Sequence, residues 1–171
     1  MSMTIPLTQN KVAIVDDADF EWLNQWKWCA HKERAGYYAI RGIWINGKTR
    51  RVYMHRLILN LPPDMQTDHI NGNGLDNRRL NLRVCTQSQN NANRRKWVSC
   101  SSQYKGITWD KLRGKWQARI NLNGEQKHLG RFDDEHEAAV AYNEAATKLF
   151  DGFARLNVIM HPKEAQDAET E

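Results

Sequence analysis

Cysteine is scarce in this chain, and none of it is paired in the sequence. Cys29, Cys85 and Cys100 are scattered with no Cys-x-x-Cys step. That spacing argues against a disulfide framework and against a cysteine-rich zinc site, and it reads as reduced thiols in a cytoplasmic protein. Long apolar runs are missing too. The opening, MSMTIPLTQNK, has no hydrophobic leader core, and no later stretch is long enough to span a bilayer, so no membrane partner is expected. Acidic charge is in the minority: 20 Asp and Glu stand against 25 Lys and Arg, a net charge of +5. That balance points to a polyanionic partner, nucleic acid ahead of membrane. With 171 residues, 40% of them apolar and seven of them Trp, there is material for one average domain or two small ones.

The chemistry concentrates in Met54 to Asn90, MHRLILNLPPDMQTDHINGNGLDNRRLNLRVCTQSQN. Its centre is the adjacent pair Asp68-His69. Asn71-Gly72 and Asn73-Gly74 favour positive φ and a tight reversal. Asn81-Leu82-Arg83-Val84-Cys85 is a short, partly apolar strand candidate. Thr86 with Gln89 three residues on is a capping-box pattern, which starts a helix after Thr86 and puts Asn90 in about its first turn. The expected order is strand, loop, strand, helix. Asp68 is a hard oxygen ligand for Mg²⁺ or Mn²⁺, His69 can take a proton from water near neutral pH, and Asn90 can add a neutral amide oxygen. Neighbours on a strand point to opposite faces, so Asp68 and His69 converge on one phosphate only if the chain twists at the strand end. His55, between a candidate strand (Arg51 to Met54) and a candidate helix (Arg56 to Asn60), reads either as a packed, hydrogen-bonded imidazole or as a phosphate contact.

Through MHRLIL, DHINGN, LDNRRLNLR and CTQSQNN, residues 52 to 93 resemble the HNH family of homing endonucleases, with their ββα-metal finger. The resemblance implies that Asp68 and Asn90 bind the divalent metal and that His69 is the general base. It also implies that Asn81 pins the loop and orients the catalytic histidine. Asn rather than His at the helix position favours Mg²⁺ or Mn²⁺ over zinc.

Ahead of this stretch, Val12 to Val15 reads as a strand followed by a turn or helix cap at Asp16-Asp17. Phe20 to Trp28 fits a short helix whose aromatic stripe is packing rather than a binding platform. Tyr37 to Arg41 and Ile43 to Ile45 read as strands, Asn46-Gly47 as a hairpin turn into the run Thr49 to Tyr53, and the basic strand Lys48 to Arg51 as a candidate phosphate contact. This third is a β-rich lead-in to the finger rather than an independent domain, giving a first unit over residues 1–93.

After Asn90 the helix is expected to continue through Trp97. Residues 94–102, entered by Arg94 and Arg95 and rich in Ser, read as a linker, its basic entry either tracking DNA or simply a solvated helix end. Residues 103–157 form a second unit. Lys115 to Asn121 alternates: Trp116, Ala118 and Ile120 on one face, Lys115, Gln117, Arg119 and Asn121 on the other. Asn123-Gly124 turns the chain into a strand from Gln126 to Arg131, and Tyr104 to Trp109 supplies a third strand. A helix capped by Asp133 or Asp134 follows, with Ala138, Ala139, Tyr142, Ala145, Ala146 and Leu149 as its apolar stripe. Basic residues outnumber acidic ones between Arg94 and Arg131.

Through Tyr104-Lys105-Gly106-Ile107, Gly114-Lys115-Trp116, His128-Leu129-Gly130-Arg131-Phe132, Ala138 to Tyr142 and Ala154-Arg155-Leu156-Asn157, this unit resembles the AP2 DNA-binding domain. The resemblance implies a sheet face in the major groove, with Lys105, Thr108, Arg113, Arg119, Asn121 and His128 facing DNA. Arg119 and Arg113 are expected at bases, Lys105 and Lys115 at phosphates. Several positions that are Arg or Trp in the plant proteins differ here, so the plant target sequence does not transfer. The tail, residues 158–171, is acidic and expected to be disordered.

The expectation is therefore an α+β chain: a β-rich region leading into a ββα-metal finger, then a three-stranded antiparallel sheet packed on one helix. Its function would be a site-directed, homing-type endonuclease acting on double-stranded DNA with Mg²⁺ or Mn²⁺ and no small-molecule cofactor. The alternative is a catalytically inactive DNA-binding regulator; an RNA-binding module has less support. One finger per chain makes one nick per binding event the simpler expectation, and a monomer is expected over a dimer.

Overall fold

In a computed structural model, residues 1–62, 64–96 and 101–159 are described. They form a mixed α/β chain of small antiparallel sheets and few helices, divided into two compact units, Met1–Asn93 and Arg94–Glu171. No helix among the described residues is long and apolar enough to cross a membrane.

The first unit opens with a hairpin of β1 (Ser2–Pro6) and β2 (Val12–Asp16), then α1 (Asp17–Asn24). β3 (Cys29–Glu33), β4 (Gly36–Ile45) and β5 (Lys48–Tyr53) make an antiparallel sheet in that order, with Asn46-Gly47 at positive φ in the tight turn between β4 and β5. α2 (Met54–Leu59) leads to a two-stranded sheet of β6 (Gln66–His69) and β7 (Leu82–Cys85), and α3 (Gln87–Asn93) closes the unit. One core serves all of it. Ile5, Val15, Leu23, Trp28, Met54 and Leu82 are buried in a single cluster, so the lead-in and β7 share the same apolar interior. Burying that surface is the main stabilising term, at roughly 25 cal/mol per Å².

Several elements depart from the sequence expectation. The first helix is α1, Asp17–Asn24, not Phe20 to Trp28. Trp28 instead bridges to Leu7, and its indole N–H donates to the Leu23 carbonyl at 2.9 Å, satisfying a helix-end acceptor from outside the helix. Trp22, Trp26 and Trp28 pack edge to face at 6.0 and 6.3 Å, as core rather than platform. The two strands expected at Tyr37 to Ile45 are one, β4. The last helix of the unit does not run on to Trp97. It stops at Asn93, where the Asn93 side chain is drawn onto Asp68 and onto the carbonyls of His69 and Ile70. Trp97 itself, with the linker residues through Cys100, lies outside the described residues.

The second unit is an antiparallel sheet in the order β10–β9–β8, built from β8 (Ile107–Asp110), β9 (Lys115–Leu122) and β10 (Glu125–Phe132), with α4 (Glu135–Phe150) packed on it. The strand expected from Tyr104 begins only at Ile107, because Gly106 at φ +79° turns the chain. A Cβ at Gly106 would overlap the Tyr142 ring, so the glycine lets α4 lie close to the sheet. Asp134, not Asp133, caps α4: its Oδ1 accepts from the backbone of His136 and Glu137 at 2.7 and 3.0 Å. The buried stripe is Ala138, Ala139, Tyr142 and Ala146, and it ends on Phe150; Leu149 is exposed. The acidic tail lies, from Met160 onward, outside the described residues.

Candidate active site

β6 and β7 pair antiparallel, with Asp68 opposite Arg83 and His69 opposite Leu82. The capping box forms as its pattern requires: the Thr86 hydroxyl accepts from Gln89 N at 3.2 Å, and the Gln89 side chain accepts from Thr86 N at 2.9 Å. α3 then runs along β6. Asn90 Nδ2 donates to Gln66 Oε1 at 2.9 Å, and one turn later Asn93 Nδ2 donates to both Asp68 oxygens at 2.9 and 3.1 Å. The helix residue bonded to Asp68 is therefore Asn93, whereas Asn90 is bonded to Gln66.

His69 is 7% exposed. Its Nε2 lies 3.3 Å from Asn77 Oδ1, and the Asn77 amide nitrogen donates to the Leu75 carbonyl. With the amide oriented that way its oxygen can only accept, so His69 carries its proton on Nε2 and keeps the lone pair on Nδ1. Burial lowers the His69 pKa below the ordinary imidazole value, against the opposing pull of Asn77, Asp68 and Asp76. A neutral, oriented imidazole with an unprotonated Nδ1 is the form a general base needs.

The Asn81 side chain bonds to the loop rather than to the His69 ring. Its Oδ1 accepts from Asn71 N at 3.0 Å and its Nδ2 donates to the Asp76 carbonyl at 2.7 Å, so it pins the loop, while Asn77 orients the histidine. Asn77, with no exposed surface, was not legible as a site residue. The lead-in holds it: Ile14 O accepts from Asn77 N at 2.7 Å, and Ile14 N donates to Leu75 O at 2.8 Å. The acidic patch after β2 is also spent here, since Asp19 takes a bidentate pair from Arg79 at 2.7 and 2.8 Å.

Asp68 is a buried carboxylate. Arg83 pairs with its Oδ2 at 2.7 Å, the two side chains 18% and 5% exposed. Among the described residues no three His, Cys, Asp or Glu side chains gather as a metal-ligand cluster. The donors present still suit a hard cation in kind. Asp68 Oδ1 accepts from the Asn93 amide and keeps further acceptor capacity. Donation of Asn90 Nδ2 to Gln66 leaves the Asn90 amide oxygen for a cation.

His55 is packed, at 8% exposure, but not hydrogen-bonded as expected: its Nδ1 is buried without a partner. Its ring stands edge to face with His69, centroids 5.0 Å apart, and against Tyr38 and Tyr53. Burial first, then His69 and Arg56, push its pKa down to about 3. Between that value and the ordinary one near 6.5 the unfolded chain binds the extra proton, so stability is present above about 6.5 and lost as pH falls toward 3. The expected slope is up to about 1.4 kcal/mol per pH unit from this group. Urea midpoints measured across that range should show the decline, and His55→Phe should flatten it.

In the second unit Arg119, Asn121, His128 and Thr108 are exposed on the sheet, with Arg119 opposite His128. The buried Ala118 and Ile120 occupy the other face, under α4. Gln117 is buried although it belongs to the polar face, because the Arg119 guanidinium covers it and donates to its amide oxygen and to Gln126 Oε1. Arg113 sits in the β8–β9 turn near Asp110, and Lys115 pairs with Asp133 at 3.0 Å. Lys105 is half-buried. Burial, then Arg155 and Arg94, bring its pKa down to about 8, and Asn157 brackets its backbone at 2.7 and 3.2 Å. Arg94 and Arg95 are exposed just after α3.

The family model described as HNH endonuclease matches residues 52–92. An uncharacterized HNH endonuclease of Acanthamoeba polyphaga mimivirus is 31% identical over 147 residues, 82% of this chain and 75% of that protein. Protein 3.8 of Escherichia phage T7 is 32% identical over 95 residues, 56% of this chain and 78% of that protein. An AP2-like ethylene-responsive transcription factor of Arabidopsis thaliana is 42% identical over 62 residues, 36% of this chain but only 13% of that protein. These partial plant matches are consistent with an AP2-type domain. No solved structure matches the chain.

Proposed function

The chain belongs to the HNH endonuclease family, and from that premise we propose that it is a site-directed, homing-type endonuclease that hydrolyses a phosphodiester of double-stranded DNA. The observation that carries this reading is His69, buried and held by Asn77 with Nδ1 left as the acceptor. His69 Nδ1 takes the proton of the attacking water. Asn77 and Asn81 hold the ring and the loop in place. HNH nucleases generally use divalent metal ions, and β6, β7 and α3 would serve here as a ββα-metal finger. Asp68 and Asn90 would hold Mg²⁺ or Mn²⁺, and the ion, when bound, supplies a positive charge that offsets the charge developing on phosphate and leaving oxygen.

In this reading residues 1–93 cut, residues 94–102 link, and residues 103–157 are an AP2-like module that selects the site. Arg119 and Arg113 contact bases. Lys105, Lys115, Arg94 and Arg95 contact phosphates, and Thr108, Asn121 and His128 complete the face. The Arg119 fork is held flat by two neutral amides and keeps its charge for guanine. Arg119→Ala is expected to weaken specific binding by about 1–3 kcal/mol and to relax the preferred sequence at one position. Selection of bound oligonucleotides from a random pool checks both effects.

The engagement of Asp68 by Arg83 and Asn93 is the observation that favours a second reading, an inactive DNA-binding regulator. Incubation with supercoiled plasmid in Mg²⁺, Mn²⁺ or EDTA separates the two. Metal-dependent nicking supports the nuclease; a gel shift without conversion under any metal supports the regulator.

A further inference from the structure

The β4–β5 hairpin outruns the sheet that carries it. β3 pairs with β4 only as far as Ile40, which lies opposite Cys29, whereas β4 and β5 stay paired out to Ile45 and Lys48. Arg41 to Ile45 and Lys48 to Val52 are therefore a two-stranded arm, turned at Asn46-Gly47. Every residue from Trp44 to Arg51 is exposed. Trp44 is the extreme case at 73%, with Ile45 beside it at 38%. Tryptophan has one of the largest apolar surfaces of any side chain, and keeping it in water forgoes the gain of burying it.

The charge around Trp44 selects the class of partner. Between Glu33 and Asp64 the chain has no acidic residue, and the arm alone carries Arg41, Lys48, Arg50 and Arg51. Arg41 packs over the Trp26 ring at 3.8 Å. Among the described residues, Lys48, Arg50 and Arg51 form no salt bridge. Cations on an edge strand such as β5 also keep sheets from pairing edge to edge, but that purpose gives no reason for a tryptophan on β4. A polyanion with flat apolar faces accounts for both, and a two-stranded ribbon is a shape that a DNA groove admits.

Strand register shows where the arm leads. Opposite residues of an antiparallel ladder point to the same face, and neighbours along a strand alternate. Tyr38, Gly42 and Trp44 therefore share a face with Tyr53, Arg51 and Thr49. The Tyr38 and Tyr53 rings meet at 6.3 Å, and Tyr38 also meets the His69 ring at 5.8 Å. The face that carries Trp44 is thus continuous with the wall of the candidate base. At about 3.3 Å per residue, Trp44 stands about 20 Å from Tyr38 along β4, the length of about six base pairs.

Resting on the reading that the chain acts on double-stranded DNA, we propose that the arm lies on the duplex beside the cut and that Trp44 is a wedge, stacking into a base step within about six base pairs of the scissile phosphate. Lys48, Arg50 and Arg51 hold the phosphates around it. An apolar side chain inserted at a base step unstacks it and kinks the duplex. The first unit thereby gains a hold on DNA that depends on stacking and not only on charge.

The full chain labelled with fluorotryptophan reports on Trp44 directly, and Trp44→Phe identifies its fluorine NMR signal among the seven. The probe is a duplex oligonucleotide enriched from a random pool by gel shift with the wild-type protein, titrated in EDTA so that nothing is cut. An upfield shift of the Trp44 signal is expected as bases close over the ring. Trp44→Ala should weaken binding on the order of tenfold with an unchanged salt slope, and Trp44→Phe should recover most of it. Arg50→Ala should instead lower the salt slope by about one. Because the Trp44 side chain lies in water, Trp44→Ala should melt with the wild type, which separates lost stacking from lost folding. An unmoved Trp44 signal on a duplex that the wild type binds, or equal affinity for Trp44→Ala, overturns the wedge. So does a sedimenting dimer that Trp44→Ala dissociates, which would assign the surface to a second copy of the chain. Plasmid nicking is scored separately, so cleavage with an unmoved Trp44 signal removes the wedge alone, while a wild-type protein that enriches no duplex removes both readings.

Discussion

His69→Ala should lose metal-dependent DNA cleavage by about 10²–10⁴-fold while still binding DNA. The size follows from the role. A general base in hydrogen-bond reach of water contributes that factor, and the neighbouring His55 does not replace it: its pKa is pushed down to about 3, so it is too weak a base. Binding survives because the side chain removed is buried, while the cations proposed to contact phosphate are other residues. Rates are compared at saturating DNA in Mn²⁺, with gel shifts of the same preparations in EDTA. Undiminished cleavage by the alanine variant would sink the role of His69. The pH profile gives an independent check. Because burial lowers the His69 pKa, the neutral form persists below pH 6.5, and activity should fall only as pH drops through that lowered value.

Arg83→Met should destabilise the metal-free protein by about 3 kcal/mol, and Mn²⁺ should return much of that loss. Asp68 and Arg83 are 5% and 18% exposed, so theirs is not a surface pair that solvent would screen. Methionine keeps much of the stem's packing but strands a buried carboxylate, with the Asn93 amide left to compensate. A cation binding the folded state alone adds stability that grows with its concentration over its Kd. If Asp68 is a metal ligand, Mn²⁺ takes over the charge that Arg83 provides, and the variant gains more from the metal than wild type does. Urea unfolding of both proteins in EDTA and in Mn²⁺ measures the difference. Equal gains would remove Asp68 from the metal site and favour the regulator reading.

Local chemistry wrote much of this protein in a form the sequence alone discloses. The Thr86–Gln89 capping box, the turns at Asn46-Gly47 and Asn123-Gly124, and the alternation that buries Ala118 and Ile120 under α4 all depend on neighbours within a few residues. So does the adjacency of Asp68 and His69. Which side chain finally meets which was decided in three dimensions. Asn77 rather than Asn81 holds His69, because Ile14, some sixty residues earlier in the chain, fixes the Asn77 backbone. Asn93 rather than Asn90 meets Asp68, because the angle at which α3 crosses β6 sets which turn of the helix faces the carboxylate, and no spacing encodes that angle. The unbonded atoms of His55 and Thr67 have no signature in the sequence at all. Burial belongs to the assembled core, so a histidine or threonine shows its cost only once the elements around it have packed.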